Sequence, residues 1–385
     1  MRVTTVAVDP VPVVDLAIDL GGEPAPLTVR LGGVELRATG PSGTVREQLE
    51  LPGLARWSLR SRTSTSLEIR FGEDDWRERI GLRVVGTDAG RLTINGEPVR
   101  LLGVNRHDSH PDHGFALPDD HRLADLQLVE RLGANFVRGG HYPQDETFLE
   151  LCDERGIAVW SEATAWQPDA RQLGDESWLR AAERNIDEMV AVARNHPSVV
   201  LWGLLNEGRS DDPACRPGYE RLIGRLRALD PSRPVTYAGN HTEQRRVRGP
   251  RRRRGRQHLP GLVPRRDRGR RCGARPARRA RRPLEAGDRV GDRRGGRARL
   301  ARRGAGPLER GAPVGPARRA IRHVLADGSR FTGIAIWVFA DFRTSNAMPR
   351  VLGRPRNYNQ KGVVDEYRRP KLATDTVARA FRELR

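Results

Sequence analysis

Over the first ninety residues apolar and polar positions alternate in short runs, as in "LTVRLGGVELRA" (27–38) and "SLEIRFG" (66–72), broken by Gly, Pro and Asp. A period of two puts every second side chain on one face of a strand, so this stretch predicts a small antiparallel, immunoglobulin-like β-sandwich. From "GRLTINGEPVRLLGVNRHD" (90–108) the rhythm changes. Continuous apolar runs now alternate with helix-period stretches, the mark of repeated βα units on a parallel sheet.

The units read in order. "RLLGVN" precedes the helical "DDHRLADLQLVERLGA", "NFVRGGHYP" precedes "ETFLELCDERG", "AVWSEA" precedes "SWLRAAERNIDEMVAVARN", "VVLWGLLNE" precedes "GYERLIGRLRALD", and "PVTYAGN" makes a fifth strand. A sixth, "FTGIAIWVFADF" (331–342), is followed by a closing helix, "LATDTVARAFREL" (372–384). With room for two more units, the expected fold class is α/β: a (β/α)8 TIM barrel over 91–385 preceded by the sandwich over 1–90. Each strand ends in polar residues, "NRHD", "GGHYP", "SEA", "NEG", "GNHTE" and "ADFRT". In a barrel of this type the carboxyl ends of the strands build the catalytic face.

Charge changes the picture in one place. The chain carries +20 overall, yet residues 245–320 alone hold 28 Arg, 5 acidic residues and no Lys, Phe, Trp or Tyr, which leaves the rest near neutral. Such a tract allows a basic, disordered nucleic-acid-binding insert. It lacks the aromatic residues that would stack on bases, so nucleic acid is not expected as a partner. Three cysteines at wide spacing give no disulfide framework. No apolar run approaches a membrane span or a signal-peptide core, and the expected location is the cytoplasm, with no membrane partner.

The strongest chemical signal is "RNHPSVVLWGLLNEG" (194–208), in which a buried strand delivers Asn206 and Glu207 at its end. A carboxylic acid at the lip of an apolar strand can protonate a departing oxygen, and an adjacent Asn can hydrogen-bond a substrate hydroxyl. "HDSHPDH" (107–113) spaces His107, His110 and His113 by three, but Pro111 argues against a helix across them, and no metal site is expected.

"GVNRHD", "NFVRGGHYP" and "NHPSVVLWGLLNE" resemble successive signatures of glycoside hydrolase family 2, which includes β-galactosidases, β-glucuronidases and β-mannosidases. The resemblance runs from about Leu92 to His241 and resumes near Arg319. It implies a general acid/base at Glu207, a contact to the sugar 2-hydroxyl from Asn206, and a pocket lined by His107, Asp108, His141 and the stacking surface of Trp337. "IWVFADFRTSNAMPRV", "NQKG" and "RRPK" resemble the β-glucuronidase branch, in which Asn359 and Lys361, with Arg350, would hold the sugar carboxylate. The implied substrate is a β-glucuronide, or else a β-galactoside. No cofactor is implied, and a homo-oligomer is compatible.

One part is missing. A retaining glycosidase needs a second carboxylate as nucleophile, about 5 to 5.5 Å from the first. The family carries it on the seventh strand in a string like "VIVSEYG", and here that place reads "LEAGDRVGDRRGG" (284–296). Read one base later, the codons of Arg252 to Val263 permit "DVVGVNTYPGWY" and those of Glu285 to Arg294 permit "RPVIVSEIG". Residues 245–318 are therefore expected to be an out-of-frame, disordered segment that leaves the enzyme impaired. A shorter lapse is read at Leu59 to Thr65, and the family's usual N-terminal sugar-binding sandwich is not seen. A catalytically dead carbohydrate-binding protein is the alternative of another class.

Overall fold

The computed structural model describes residues 1–40, 42–239, 321, 331–344 and 357–384; the arginine tract and Arg350 lie outside them. The chain divides into two compact units, Met1–Val99 with Asn135–Leu259 and Arg100–Ala134 with Pro260–Arg385.

The first unit opens with the sandwich. Strands β1 (Arg2–Ala7), β2 (Val13–Leu20) and β5 (Gly43–Glu50) form one antiparallel sheet. β3 (Leu27–Leu31), β4 (Val34–Ala38), β6 (Thr65–Phe71) and β7 (Asp74–Ile80) form the other, in the order β4-β3-β6-β7. This three-plus-four arrangement is the strand count of immunoglobulin-type sandwiches. The alternation has the predicted effect: Leu27, Val29 and Leu31 turn inward from β3, as do Leu67 and Ile69 from β6, onto Val14, Leu16 and Ile18 of β2. A small antiparallel meander, β8 (Val85–Asp88), β9 (Arg91–Ile94) and β10 (Glu97–Pro98), follows. Its last turn is Asn95-Gly96, both at positive φ (55° and 80°), as a two-residue hairpin of this hand requires.

The same unit carries four parallel strands, β12 (Phe136–Gly139), β13 (Ala158–Glu162), β14 (Val199–Asn206) and β15 (Val235–Ala238), each paired with the next. Helices α2 (Glu146–Arg155), α3 (Ala170–Gly174), α4 (Glu176–Ala193) and α5 (Arg216–Leu229) connect them. Every residue of β12, β13 and β14 is buried, the condition of strands covered on both faces. Asp145 and Asp175 cap α2 and α4 by accepting from the amides of Phe148 and Trp178. Gly156 ends α2 at φ 64°, and a Cβ there would lie 2.6 Å from the Leu59 carbonyl.

Two side chains bind the sandwich side of this unit to the base of its parallel strands. The buried Arg83 guanidinium donates to the carbonyls of Pro197 (3.0 Å), His196 (3.3 Å) and Val199 (3.2 Å), where β14 begins. The Trp57 indole, fully buried, donates to the Asp153 carbonyl at 2.9 Å. From the other side Arg233 donates to Val199 (2.6 Å) and His196 (3.1 Å) and pairs with Asp230, which also accepts from the Trp202 indole at 2.9 Å.

The second unit pairs β11 (Leu101–Arg106) in parallel with β16 (Gly333–Ile336) and holds α1 (Asp119–Arg131) and α6 (Leu372–Arg382). β17 (Phe342–Arg343) and β18 (Tyr358–Asn359) form a short antiparallel pair. The sixth barrel strand is shorter than the apolar run 331–342 predicts, because the backbone finds other partners beyond Ile336. Val363 donates to the Val338 carbonyl (2.9 Å) and Phe339 to that of Asn105 (2.8 Å). The parallel strands and their helices are those of the expected TIM barrel, and α3, not foreseen, is an addition in the β13-to-α4 connection.

Candidate active site

The end of β14 is fixed by backbone on both sides. Asn206 donates to the Ala165 carbonyl (2.9 Å), its own carbonyl accepts from Gln167 (2.7 Å), and Glu207 donates to the carbonyl of Ala238 (3.0 Å). Glu207 then turns at φ 54° and Gln167 at φ 52°, in a region that non-glycine residues occupy only where surroundings impose it. The half-buried Glu207 carboxylate accepts from Gln167 Nε2 at 2.7 Å. Next to Gln167, Trp166 is 43 % exposed and bridges to Asn206 through the backbone.

Below this lip is a buried polar cluster. Arg138, from the end of β12, donates to Glu162 of β13 through Nε (3.0 Å to Oε2) and Nη2 (3.3 Å to Oε1), and to Asn206 Oδ1 at 2.8 Å. His141 Nδ1 lies 2.9 Å from Glu162 Oε1. Because an ionised carboxylate only accepts, Nδ1 is the donor in this contact. Burial alone would push the pKa of the Glu162 carboxyl up, but the Arg138 charge and the His141 hydrogen bond outweigh it and hold it below the usual carboxylate range. Glu162 is thus an anion with both oxygens engaged, a positioning charge and not a nucleophile. Since Asn206 Oδ1 accepts from Arg138, the Nδ2 end of that amide is oriented as the donor. Gly203 makes room for this packing: a Cβ there would lie 2.0 Å from Trp160 Nε1 and 2.9 Å from Glu162 Cγ. The Arg138 guanidinium stacks 4.5 Å from the centre of the Trp160 ring.

Of the residues singled out from sequence, Asn206, Glu207 and His141 therefore belong to one cluster in the first unit. The others lie in the second. His107 stands 5.4 Å from Trp337 and 4.2 Å from Phe342, centroid to centroid. Asp108 accepts from Arg106 (2.9 Å), whose guanidinium also binds the buried Asp125 (2.9 Å), itself held by Arg368 (2.8 Å). Asn359 is buried and its Oδ1 accepts from the Lys361 amide at 3.3 Å, while the Lys361 carbonyl accepts from Val338, next to Trp337. Arg350 is outside the described residues. Sequence reasoning passed over Arg138, Glu162, Trp166 and Gln167. Glu162 sits in the marked strand end "SEA" and Arg138 immediately before "GGHYP", whereas "TAWQP" carries no pattern that would have separated it from an ordinary loop.

Parallel strands that deliver polar and charged side chains at their carboxyl ends define the class of TIM-barrel proteins. Residues 85–249 match the TIM barrel domain of glycosyl hydrolases family 2. The matched relatives include a β-galactosidase of Thermoanaerobacter pseudethanolicus, 39 % identical over 165 residues, 42 % of this chain and 21 % of that protein. A β-galactosidase of Psychromonas ingrahamii is 35 % identical over 211 residues, 52 % of this chain and 20 % of that protein. The matches thus span about a fifth of these relatives' own length. Among solved structures, the family 2 β-galacturonidase of Eisenbergiella tayi bound to galacturonate superposes with a TM-score of 0.76 and 25 % identity, covering 100 % of this chain and 72 % of its own. The β-D-glucuronidase of Dictyoglomus thermophilum, 22 % identical, shares the fold at a TM-score of 0.71, covering 100 % of this chain and 68 % of its own.

Proposed function

We propose that the chain derives from a retaining β-glycosidase that acts on β-glucuronides, and that as translated it is inactive or nearly so. The carrying observation is the Asn206-Glu207 pair at the carboxyl end of β14, with Glu207 turned to positive φ and hydrogen-bonded to Gln167. In this reading Glu207 protonates the leaving oxygen, a carboxylate attacks the anomeric carbon, and water releases the sugar with Glu207 now acting as base. Asn206 Nδ2 donates to the 2-hydroxyl, held in place by Arg138. Trp166, exposed and bridged to Asn206, offers an apolar face to the sugar ring. A uronic acid is favoured over a neutral sugar because Asn359 and Lys361 stand at one short strand end beside Trp337, and a carboxylate leaving water needs such donors.

The attacking carboxylate is what this chain lacks. Glu162 cannot replace it, since Arg138 and His141 take both oxygens. The expected seventh-strand glutamate falls in 245–318, which we take to be read out of frame. The test compares the chain as it stands with one from a gene whose frame is restored across 245–318, on 4-nitrophenyl β-glucuronide and β-galactoside. The restored protein should hydrolyse the glucuronide, and Glu207→Gln in it should lower kcat by about 10²–10⁴-fold. Ordinary turnover by the present chain would refute the loss of the nucleophile. Preference of the restored enzyme for the galactoside would make the neutral sugar the substrate, as for the β-galactosidases to which the chain is similar.

A further inference from the structure

We propose that His110, His113 and His121 form a binding site for one divalent transition-metal ion of the zinc class, in the loop that joins β11 to α1. The chain departs from β11 at Arg106, and a tight turn then pairs His110 with Gly114 through two backbone hydrogen bonds (2.8 and 2.9 Å). That turn sets His113 back beside His110, with ring centroids 5.2 Å apart. His121, in the first turn of α1, completes the group at 4.7 Å from each of the other two rings. One nitrogen from each ring lies within 4.8 Å of the others. Zn–N bonds of about 2.0–2.1 Å place the nitrogens of a tetrahedral site roughly 3.4 Å apart, so closure needs ring rotations and a small movement of an exposed turn, not refolding.

The chemistry of the set points to the ion. Three neutral imidazoles with no carboxylate among them suit zinc, cobalt or copper and not magnesium or calcium, which take oxygen. His110 Nδ1 accepts from the Asp112 amide at 3.2 Å, with Asp112 Oδ2 3.7 Å away, so a ring that ligates the ion through Nε2 exchanges that amide for the carboxylate as its outer partner. The nearby cation Arg368 does not compete, because Asp125 takes its guanidinium at 2.8 and 3.1 Å. His107, which sequence spacing had grouped with His110 and His113, points elsewhere, onto Trp337 and Phe342. The true third member comes from the following helix, eight residues beyond His113.

The full-length chain, stripped with a chelator, is titrated with Co(II) and then Zn(II), following the visible absorption of tetrahedral Co(II). One equivalent of Co(II) should give the band and Zn(II) should abolish it, while Mg(II) leaves it unchanged. His113→Ala and His121→Ala should each lose the band with unchanged far-ultraviolet dichroism; His113 is exposed, so its removal spares the fold. His107→Asn should keep it. Asp112→Asn should weaken binding by about 10–100-fold. Absence of a one-equivalent band, a band that survives both histidine substitutions, or displacement by Mg(II) would overturn the site.

Discussion

Arg138 is the residue on which the candidate site turns, since it contacts Glu162, Asn206 and the face of Trp160 at once. Arg138→Met strands an ionised carboxylate in the interior, and the expected loss is about 3–5 kcal/mol of stability, read by urea unfolding at neutral pH. Glu162 is held below its ordinary range in the folded state, so what its ionised form contributes is present above pH 4.5 and lost as pH falls through the depressed folded value. The gap between wild type and the Arg138 variant should therefore narrow on acidification. His196 behaves oppositely. Burial lowers its value, but the hydrogen bond and charge of Asp153 at 2.7 Å raise it beyond the usual 6.5. Its contribution is complete below pH 6.5 and lost as pH rises through the raised folded value, so His196→Asn should cost less Tm at pH 9 than at pH 6. At this scale the sequence disclosed Asn206 and Glu207, because a polar pair closing a seven-residue apolar run is a local event. It did not disclose the partnership of Arg138, Glu162 and Gln167, which depends on β12, β13 and β14 lying side by side.

Among elements, β14 is the most constrained. Gly203 in its middle faces the Trp160 ring, and Gly203→Ala places a methyl 2.0 Å from the indole nitrogen, with an expected cost of about 1–3 kcal/mol or more. Gly333 in β16 is less forgiving, because its added Cβ would lie 1.9 Å from the Leu101 carbonyl oxygen and backbone cannot rotate aside. Gly333→Ala should fold poorly, visible as a lowered Tm and loss to the insoluble fraction. Strand and helix positions were legible at this scale because apolar period and cap residues agree, as with Asp145 and Gly156 around α2. The ends of β16 were not, since whether an apolar backbone continues a sheet or turns to Asn105 and Val363 is decided by distant partners. Equally, α3 starts from a reciprocal cap between Asp169 and Gln172, a signal too short to rise above a loop.

For the whole molecule, the net positive charge lies in 245–320, so the chain as translated should bind heparin with steep salt dependence, and the frame-restored protein should elute at much lower salt. Equal retention would mean that the tract does not set the molecule's electrostatics. No helix among the described residues is long and apolar enough to cross a membrane. Among the described residues, Cys152 and Cys215 are buried free thiols.

Arg83 gives the molecule an unexpected rule of dissection. It is numbered with the sandwich, yet three carbonyls at the root of β14 depend on it, and that strand is the lever whose far tip holds Glu207. A barrel excised at residue 91 would lose that donor, leaving the buried Pro197 carbonyl without its side-chain partner and those of His196 and Val199 to Arg233 alone. The smallest excisable catalytic piece therefore begins upstream of Arg83, and anyone trimming this protein for expression should cut accordingly.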